Sequence, residues 1–584
     1  MTDILDSYKK AQQVAGEMKA WRMRGAGLEN FGISGKTEKL PLPVFGPDEI
    51  LARTDAVGIC FSDVKLITQG SQHKRILGRD LEANPATPGH ETSLTVVGVG
   101  ENVKEKFKIG DRFIPQPDIY YKGVNVAYGY ALAGGFSQYV VMGKEILEGD
   151  EGCYLIPVQP GTGYVEAALV EPWTCVVASY RIRHRRSIKA GGHCLILAPP
   201  GANLEKATIS RGIGPESHPN KLILAGDLGQ LGADLTKRMQ AEGAEVTTVG
   251  EVAVGSMAAL SQSHTSGKGF DDIVSFGRPP AELAEELSKY LARGGVLNMI
   301  CSKTEPMTVS VDVGRIHYAD TYYVGCSGPD AALSYMLSRD SELLPEGCAW
   351  FIGAAGPMGQ MHVQLAIRNR RGPKAILCTD VDDKRLAALR DNVLGVAESH
   401  KVQVEFINPT EVGNDGLKKA INDLTGGRGF DDIVLLAPVA ALVTQASDYL
   451  ADGGAFNIFA GVPEGTVAEI DMSTICQRQH RIMGRSGSLP SDMVDTLGMT
   501  ERGEISTSDS CAAIGGIHAV HDGVEAVKAG TFPGKTVIFP HIEDLPLTAL
   551  PDLHKILPNV AEKLQDGRFW TKEAEEELLR EKLR

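Results

Sequence analysis

Cys60, His90 and Glu171 are residues of this 584-residue chain whose types and order suit a metal ion. Cys60 lies in Gly58-Ile59-Cys60-Phe61-Ser62-Asp63, at the end of an apolar run that reads as a strand. His90 lies in Pro88-Gly89-His90-Glu91, and Glu171 in Val170-Glu171-Pro172. A thiolate, an imidazole and a carboxylate are suitable zinc ligands, and three of them leave a fourth position for water or substrate. Each signal alone is weak, since a single buried cysteine is commonly a small core residue. The ordered combination carries the signal.

A second set suits a dinucleotide. Gly353-Ala354-Ala355-Gly356-Pro357-Met358-Gly359 follows the apolar run Cys348-Ala349-Trp350-Phe351-Ile352. A glycine-rich turn between a strand and a helix offers backbone amides and the positive helix end to a pyrophosphate. About twenty residues on, Lys374-Ala375-Ile376-Leu377-Cys378-Thr379-Asp380 reads as the next strand, ending in an acid. An acid there hydrogen-bonds a ribose diol and repels a 2′-phosphate, which favours NAD. Arg385 nearby leaves NADP open.

This nucleotide unit is one of two. Gly269-Phe270-Asp271-Asp272-Ile273-Val274 returns as Gly429-Phe430-Asp431-Asp432-Ile433-Val434. Tyr290-Leu291-Ala292-Arg293-Gly294-Gly295 returns as Tyr449-Leu450-Ala451-Asp452-Gly453-Gly454, and Gly325, Ser327 and Gly328 return as Gly484, Ser486 and Gly487. The spacing of about 160 residues is a whole domain, beyond the ~20–50 residues of a solenoid repeat. In the first copy the glycine turn reads Ala198-Pro199-Pro200-Gly201-Ala202-Asn203-Leu204. Two prolines there offer no N–H, and Leu204 stands where the third glycine would be. Asp227 keeps the position of Asp380 without a phosphate cradle, so the first copy reads as structural and the second as the working one.

The elements that must position these residues change along the chain. Residues from about 20 to 185 hold short apolar runs and turns and read as β-rich and barrel-like. From about 190 strands and helices alternate, which implies a doubly wound parallel sheet, and the order restarts near 348. After about 500 short strands return, as in Lys535-Thr536-Val537-Ile538-Phe539. Met1 to Lys19 reads as a polar helix, and residues 548–584 as charged surface helix. The domains expected are therefore 1–188, 189–345, 346–500, a return over 501–547, and a C-terminal extension over 548–584.

Composition bounds the function. The chain is 43% apolar and 23% charged, ordinary for a globular protein. No apolar run approaches the ~18–20 residues of a membrane helix, and no signal-peptide order is legible. A net charge of −15 argues against a nucleic-acid partner. Ten cysteines without a CxxC pair suggest a reducing, cytoplasmic setting.

Cys60-x-Ser62-Asp63, then Gly89-His90-Glu91, Gly110-Asp111-Arg112, Gly134-Gly135-Phe136-Ser137-Gln138-Tyr139 and Glu171-Pro172, in this order, resemble the zinc-dependent medium-chain dehydrogenases. The resemblance implies a GroES-like β-rich catalytic domain with, here, two tandem Rossmann domains. It implies one catalytic zinc near Cys60, His90 and Glu171, with Glu91 either a ligand or a carboxylate directly behind the ligands. It implies that Ser62 relays a proton and that Gly353, Gly356, Pro357, Met358, Gly359 and Asp380 seat the cofactor. No cysteine lies between Cys60 and Cys153, so the four-cysteine structural zinc lobe of many relatives is absent. The sorbitol-dehydrogenase branch is the better analogue.

Gly70-Ser71-Gln72-His73-Lys74-Arg75, Asn84-Pro85, Gln116-Pro117, Tyr120-Tyr121-Lys122-Gly123, Ile316-His317-Tyr318-Ala319-Asp320 and Gly515-Gly516-Ile517 look like the L-sorbose-1-phosphate reductase group. That resemblance implies hydride transfer between NAD(H) and a polyol phosphate or ketose phosphate. His73, Lys74 and Arg75 are then candidate charges for the phosphate, or else a solvated basic turn. The alternatives are a dehydrogenase of an unphosphorylated polyol or secondary alcohol, and a non-catalytic nucleotide-sensing scaffold. Two segments, Tyr322-Tyr323-Val324-Gly325 and Arg481-Ile482-Met483-Gly484, read as sheet edges. Edges need partners, so the two copies are expected to pair inside one chain as a pseudo-dimer.

Overall fold

The computed structural model describes residues 4–11, 16–301 and 305–583. The chain folds as two compact units. The first holds Met1–Val177, Gly356–Met361 and Gly487–Arg584, and the second holds Ala178–Ala355 and His362–Ser486. Among the described residues no helix is long and apolar enough to cross a membrane.

The first unit is built on an eight-stranded sheet. Its longest strand, Ile50–Ile59, pairs antiparallel with Glu91–Val99 on one side and with Lys535–Phe539 on the other. The whole of Ile50–Ile59 is buried, including Arg53 and Asp55, whose side chains form an ion pair at 2.7 Å. Burying charge is tolerable only when it is paired and hydrogen-bonded. Thr95 Oγ1 donates to Asp55 at 2.5 Å, and Arg53 Nη1 donates to Tyr8 O at 2.7 Å.

The two ends of the chain differ from the sequence reading. The N-terminal helix covers Ile4–Lys9, whereas Glu17–Ala20 is a strand paired with Glu38–Pro41. Residues 1–3 and 12–15 of the expected helix lie outside the described residues. The C-terminal extension is helical, but it is not a solvated surface layer. Ala574, Leu578 and Leu579 fall on one face of the helix Lys572–Lys582 and are buried with Leu553, Leu557, Val560 and Trp570. That stripe sits at helical spacing inside a charged run, and the charges mask it in a composition-based reading. Glu575 is 3% exposed and accepts the amides of Tyr164 and Val165 at 2.6 and 2.8 Å.

The second unit contains two six-stranded parallel sheets of the same strand order. The first runs Glu245–Val249, Lys221–Ala225, His193–Leu197, Phe270–Phe276, Leu291–Ile300, Tyr322–Cys326. The other runs Gln403–Ile407, Ala375–Thr379, Cys348–Ile352, Phe430–Leu435, Leu450–Ile458, Arg481–Met483. The order reverses between the third and fourth strands of each, the switch point of a doubly wound sheet. Tyr322–Cys326 and Arg481–Met483 are the terminal strands of the two sheets.

Contrary to the sequence expectation, these two edges stay in separate sheets and are not paired with each other; the copies join through a different backbone pairing. Thr308–Asp312 pairs antiparallel with Val467–Asp471, with Ser310 opposite Glu469. One apolar core runs through both copies and includes Val309, Val311, Val313 and Ile316 from the first with Ala468, Ile470, Met472 and Ile475 from the second.

The copies diverge where a nucleotide would sit. After Cys348–Ile352 the glycine turn leads into the helix Pro357–Arg368. After His193–Leu197 the first copy has no helix before Lys221 among the described residues. It therefore lacks the helix N-terminus as well as two of the three glycines.

Candidate functional site

The strand Ile50–Ile59 delivers Cys60 to the start of a helix, Phe61–Gln69, where Cys60 is the N-cap. Glu91 opens the strand Glu91–Val99, and Gly58 pairs directly with Glu91. A Cβ on Gly58 would fall 2.1 Å from Glu91 Oε2, so only glycine lets that carboxylate lie against the strand. This register brings Cys60, His90 and Glu91 together, with one ligand atom from each within 4.8 Å of the others. Glu171 is not part of that triplet. It is the second residue of the helix Val170–Ser179. Burial pushes its carboxyl up to about 7, with His90 opposing and Glu91 adding to the shift.

Two residues without an assigned role in the sequence reading hold the triplet. Asp63 Oδ2 accepts the Cys60 amide at 2.9 Å, and Asp63 Oδ1 accepts the Gly89 amide at 3.1 Å. The same Oδ1 lies 3.3 Å from His90 Nδ1, which is buried, and His90 Nε2 lies 3.4 Å from Ser62 Oγ. Lys535 Nζ donates to Glu91 Oε1 at 2.5 Å from the strand on the other side of Ile50–Ile59. Burial works against the Lys535 ammonium, but Glu91 holds its pKa above the lysine range. Glu91 Oε2 is buried and has no hydrogen-bond partner. A buried, unpartnered carboxylate oxygen beside a thiol and an imidazole is a donor set that suits zinc. A partner directly behind a ligand is typically worth ~10–100-fold in metal affinity. Lys535→Met is therefore expected to lower zinc retention by about that factor, measured by competition with a chromogenic chelator.

The turn His73-Lys74-Arg75 reaches this site through one aromatic ring. The rings of His73 and His90 lie 5.5 and 5.6 Å from that of Tyr130. The Arg75 guanidinium lies 4.6 Å from the Tyr130 ring centroid and pairs with Asp118 at 2.5 Å. His73 does not supply charge as the sequence suggested. Burial, then Arg75, Lys74 and Lys65, push it down to about 4, so it is neutral at pH 7. Its Nδ1 instead accepts the Arg75 amide at 3.3 Å. Lys74 is exposed. Asp118 is held by Gln116, whose Oε1 accepts the Asp118 amide while its Nε2 donates to Ser488 O at 2.7 Å.

The glycine turn of the second copy is shaped by backbone bonds. Gly353 has φ +80°, and the amides of Gly353 and Ala354 both donate to Thr379 O, at 2.8 and 3.0 Å. Ala355 N donates to Asp380 Oδ2 at 3.0 Å, so Asp380 braces the turn. In the first copy Asp227 accepts the amide of Gly229, at 2.9 Å, in its own loop.

The family model described as "Alcohol dehydrogenase GroES-like domain" matches residues 46–148, which include Cys60, His90 and Glu91. The uncharacterized protein YggP of Escherichia coli (strain K12) is 30% identical over 348 residues, covering 56% of this chain and 79% of that protein. A mannitol-1-phosphate 5-dehydrogenase of Aliivibrio fischeri is 28% identical, covering 61% of this chain and 86% of that protein. An L-sorbose 1-phosphate reductase of Klebsiella pneumoniae is 29% identical, covering 50% of this chain and 72% of that protein. With the fold, the matched domain and these relatives together, the chain belongs to the zinc-dependent medium-chain dehydrogenase/reductase family, a family of oxidoreductases.

Proposed function

We propose that the chain is a zinc- and NAD-dependent dehydrogenase that interconverts a polyol phosphate and a ketose phosphate. The observation that carries the dehydrogenase reading is the convergence of Cys60, His90 and Glu91 around an unpartnered Glu91 Oε2, with Ser62 beside His90. Cys60, His90 and Glu91 are the residues that would hold zinc, with Glu171 a further carboxylate whose charge interacts with those of His90 and Glu91. Bound zinc supplies a Lewis acid that lowers the pKa of a substrate alcohol, and NAD accepts the hydride. Asp63 holds the Cys60 and Gly89 amides and Lys535 holds Glu91, so little reorganisation is needed on binding. Ser62 Oγ passes the alcohol proton outward from the His90 side. Gly353, Gly356, Pro357, Met358 and Gly359 receive the pyrophosphate, and Asp380 braces that turn beside the ribose position.

Two of the relatives carry sugar-phosphate names, which supports a phosphorylated substrate. Arg75, one aromatic ring away from His90, is the cation suited to the phosphate. One observation favours the alternative of an unphosphorylated polyol. Arg75 is already paired with Asp118, whose carboxylate suits a hydroxyl. Turnover of sorbitol and sorbitol 6-phosphate, each with NAD and with NADP, separates these readings. A charge-assisted contact is worth ~1.5–3 kcal/mol, so kcat/KM is expected to be about 10–100-fold higher for the phosphate ester. Equal turnover of both substrates would favour the alternative. Gly356→Asp is expected to abolish NAD binding, read by calorimetric titration, because its side chain fills the pyrophosphate seat and adds like charge.

A further inference from the structure

The two copies meet around a pseudo-two-fold axis that passes between Ser310 and Glu469. Contacts on one side have counterparts on the other. Asp312 Oδ2 accepts the Gly465 amide at 2.9 Å, and Asp471 Oδ1 accepts the Met307 amide at 2.8 Å. A Cβ on Gly484 would lie 2.7 Å from Ile458 O and 3.3 Å from His317 Cα. A Cβ on Gly325 would lie 2.7 Å from Met299 O and 2.9 Å from Cys476 Sγ. Each copy thus presses a short helix, Val313–Tyr318 or Ser473–Gln477, onto the carboxyl end of a strand of the other.

The symmetry breaks in the residues presented. The first copy offers His317, whose Nδ1 donates to Ile458 O at 3.1 Å in a buried contact. The second copy offers Cys476 to Met299 O at 3.3 Å. Beside His317 stands Tyr318, and its counterpart beside Cys476 is Gln477. The Tyr318 hydroxyl lies where a Cβ on Gly461 would be only 2.9 Å away. Gly314 is seated so closely on Pro463 that a Cβ there would meet Pro463 O at 2.3 Å. Val313 N donates to Thr466 O at 3.0 Å. The whole loop from Ile458 to Thr466 of the second copy is therefore clamped by the first.

That loop borders the crevice where the second sheet would take a ligand. Phe459 and Ala460 donate to Leu435 O at 3.1 and 2.9 Å, across the end of the strand next to the switch point. A dinucleotide lies across a switch point with one half on each side. Asp380 follows a strand on one side, and Ile458 ends a strand on the other, so the nicotinamide half falls toward Ile458–Gly461.

We propose that His317 and Tyr318 of the first copy are positioning residues for the nicotinamide half of the cofactor held by the second copy, acting through the loop Ile458–Thr466. This rests on the reading of Gly353–Gly359 and Asp380 as the cofactor seat. The degenerate copy then persists because it shapes the working site of its twin, and the histidine–tyrosine pair is on the copy that faces that site.

The test uses the full chain and calorimetric titration with two probes, NAD and ADP-ribose, which lacks the nicotinamide. In His317→Ala and Tyr318→Ala, NAD affinity is expected to fall by about tenfold, whereas ADP-ribose affinity stays within about twofold. ADP-ribose binding also reports that the second sheet is folded. His317→Asn, which keeps an N–H in reach of Ile458 O, is expected to recover most of the NAD affinity. Cys476→Ala, at the other end of the pseudo-two-fold, should leave both affinities unchanged. Equal loss for both probes, or no loss for NAD, would overturn the proposal. Failure of the unaltered chain to bind ADP-ribose would overturn the cofactor reading itself, and this proposal with it.

Discussion

Cys60→Ser is expected to remove zinc and nearly all turnover while the protein stays folded. Cys60 sits at a helix N-cap, and its amide is held by Asp63 Oδ2. That bond involves the backbone, so serine keeps it. The local structure survives, and what is lost is the sulfur ligand. A residue behind the ligands is typically worth ~10–100-fold, so removal of a ligand itself should cost at least about 100-fold in turnover. Metal analysis, turnover and the thermal midpoint, measured on the same preparation, separate this from unfolding. A variant that retains both zinc and activity would show that Cys60 is not a ligand.

The second large effect concerns the duplication. Deleting residues 190–345 is expected to yield a product that aggregates or dimerises. The deletion removes the partner of the strand Val467–Asp471 and leaves its backbone groups unpaired. It also exposes Ile470, Met472, Ile475 and Ala468, each buried in the core shared by the copies. Exposing large apolar side chains costs roughly 1.5–3 kcal/mol each, and three of them approach a typical margin of ~5–15 kcal/mol. Size-exclusion chromatography with light scattering reads the outcome. A soluble, monomeric deletion product with an intact thermal transition would mean that the first copy is only an appendage.

Much of the site was legible because its residues are short, chemically distinctive and in a fixed order. Cys60, His90 and Glu91 converge as the motif order suggested, because Gly58 and Glu91 are paired on neighbouring strands. Glu171, marked for the same reason, stands outside the close triplet. Lys535 had no local signal as a site residue. It appears in an ordinary strand, and only the antiparallel pairing of Thr536 with Ile59 brings it to Glu91. A basic triplet read in one dimension does not show that the half-buried ring of His73 stacks on Tyr130.

The duplicated sheets were legible from strand and helix alternation and from the repeat itself. The prolines of Ala198–Leu204 flagged an altered nucleotide turn, but not that the helix after it is missing. The buried face of Lys572–Lys582 was hidden by the charges around it.

Turnover of the zinc-stripped protein tests the central claim most directly. The full chain is depleted with a chelator, assayed with NAD and a polyol phosphate, and titrated back with zinc. No turnover without metal, and recovery complete at one zinc per chain, is the result expected if Cys60, His90 and Glu91 hold the catalytic ion. Full activity in the metal-free protein would contradict the account.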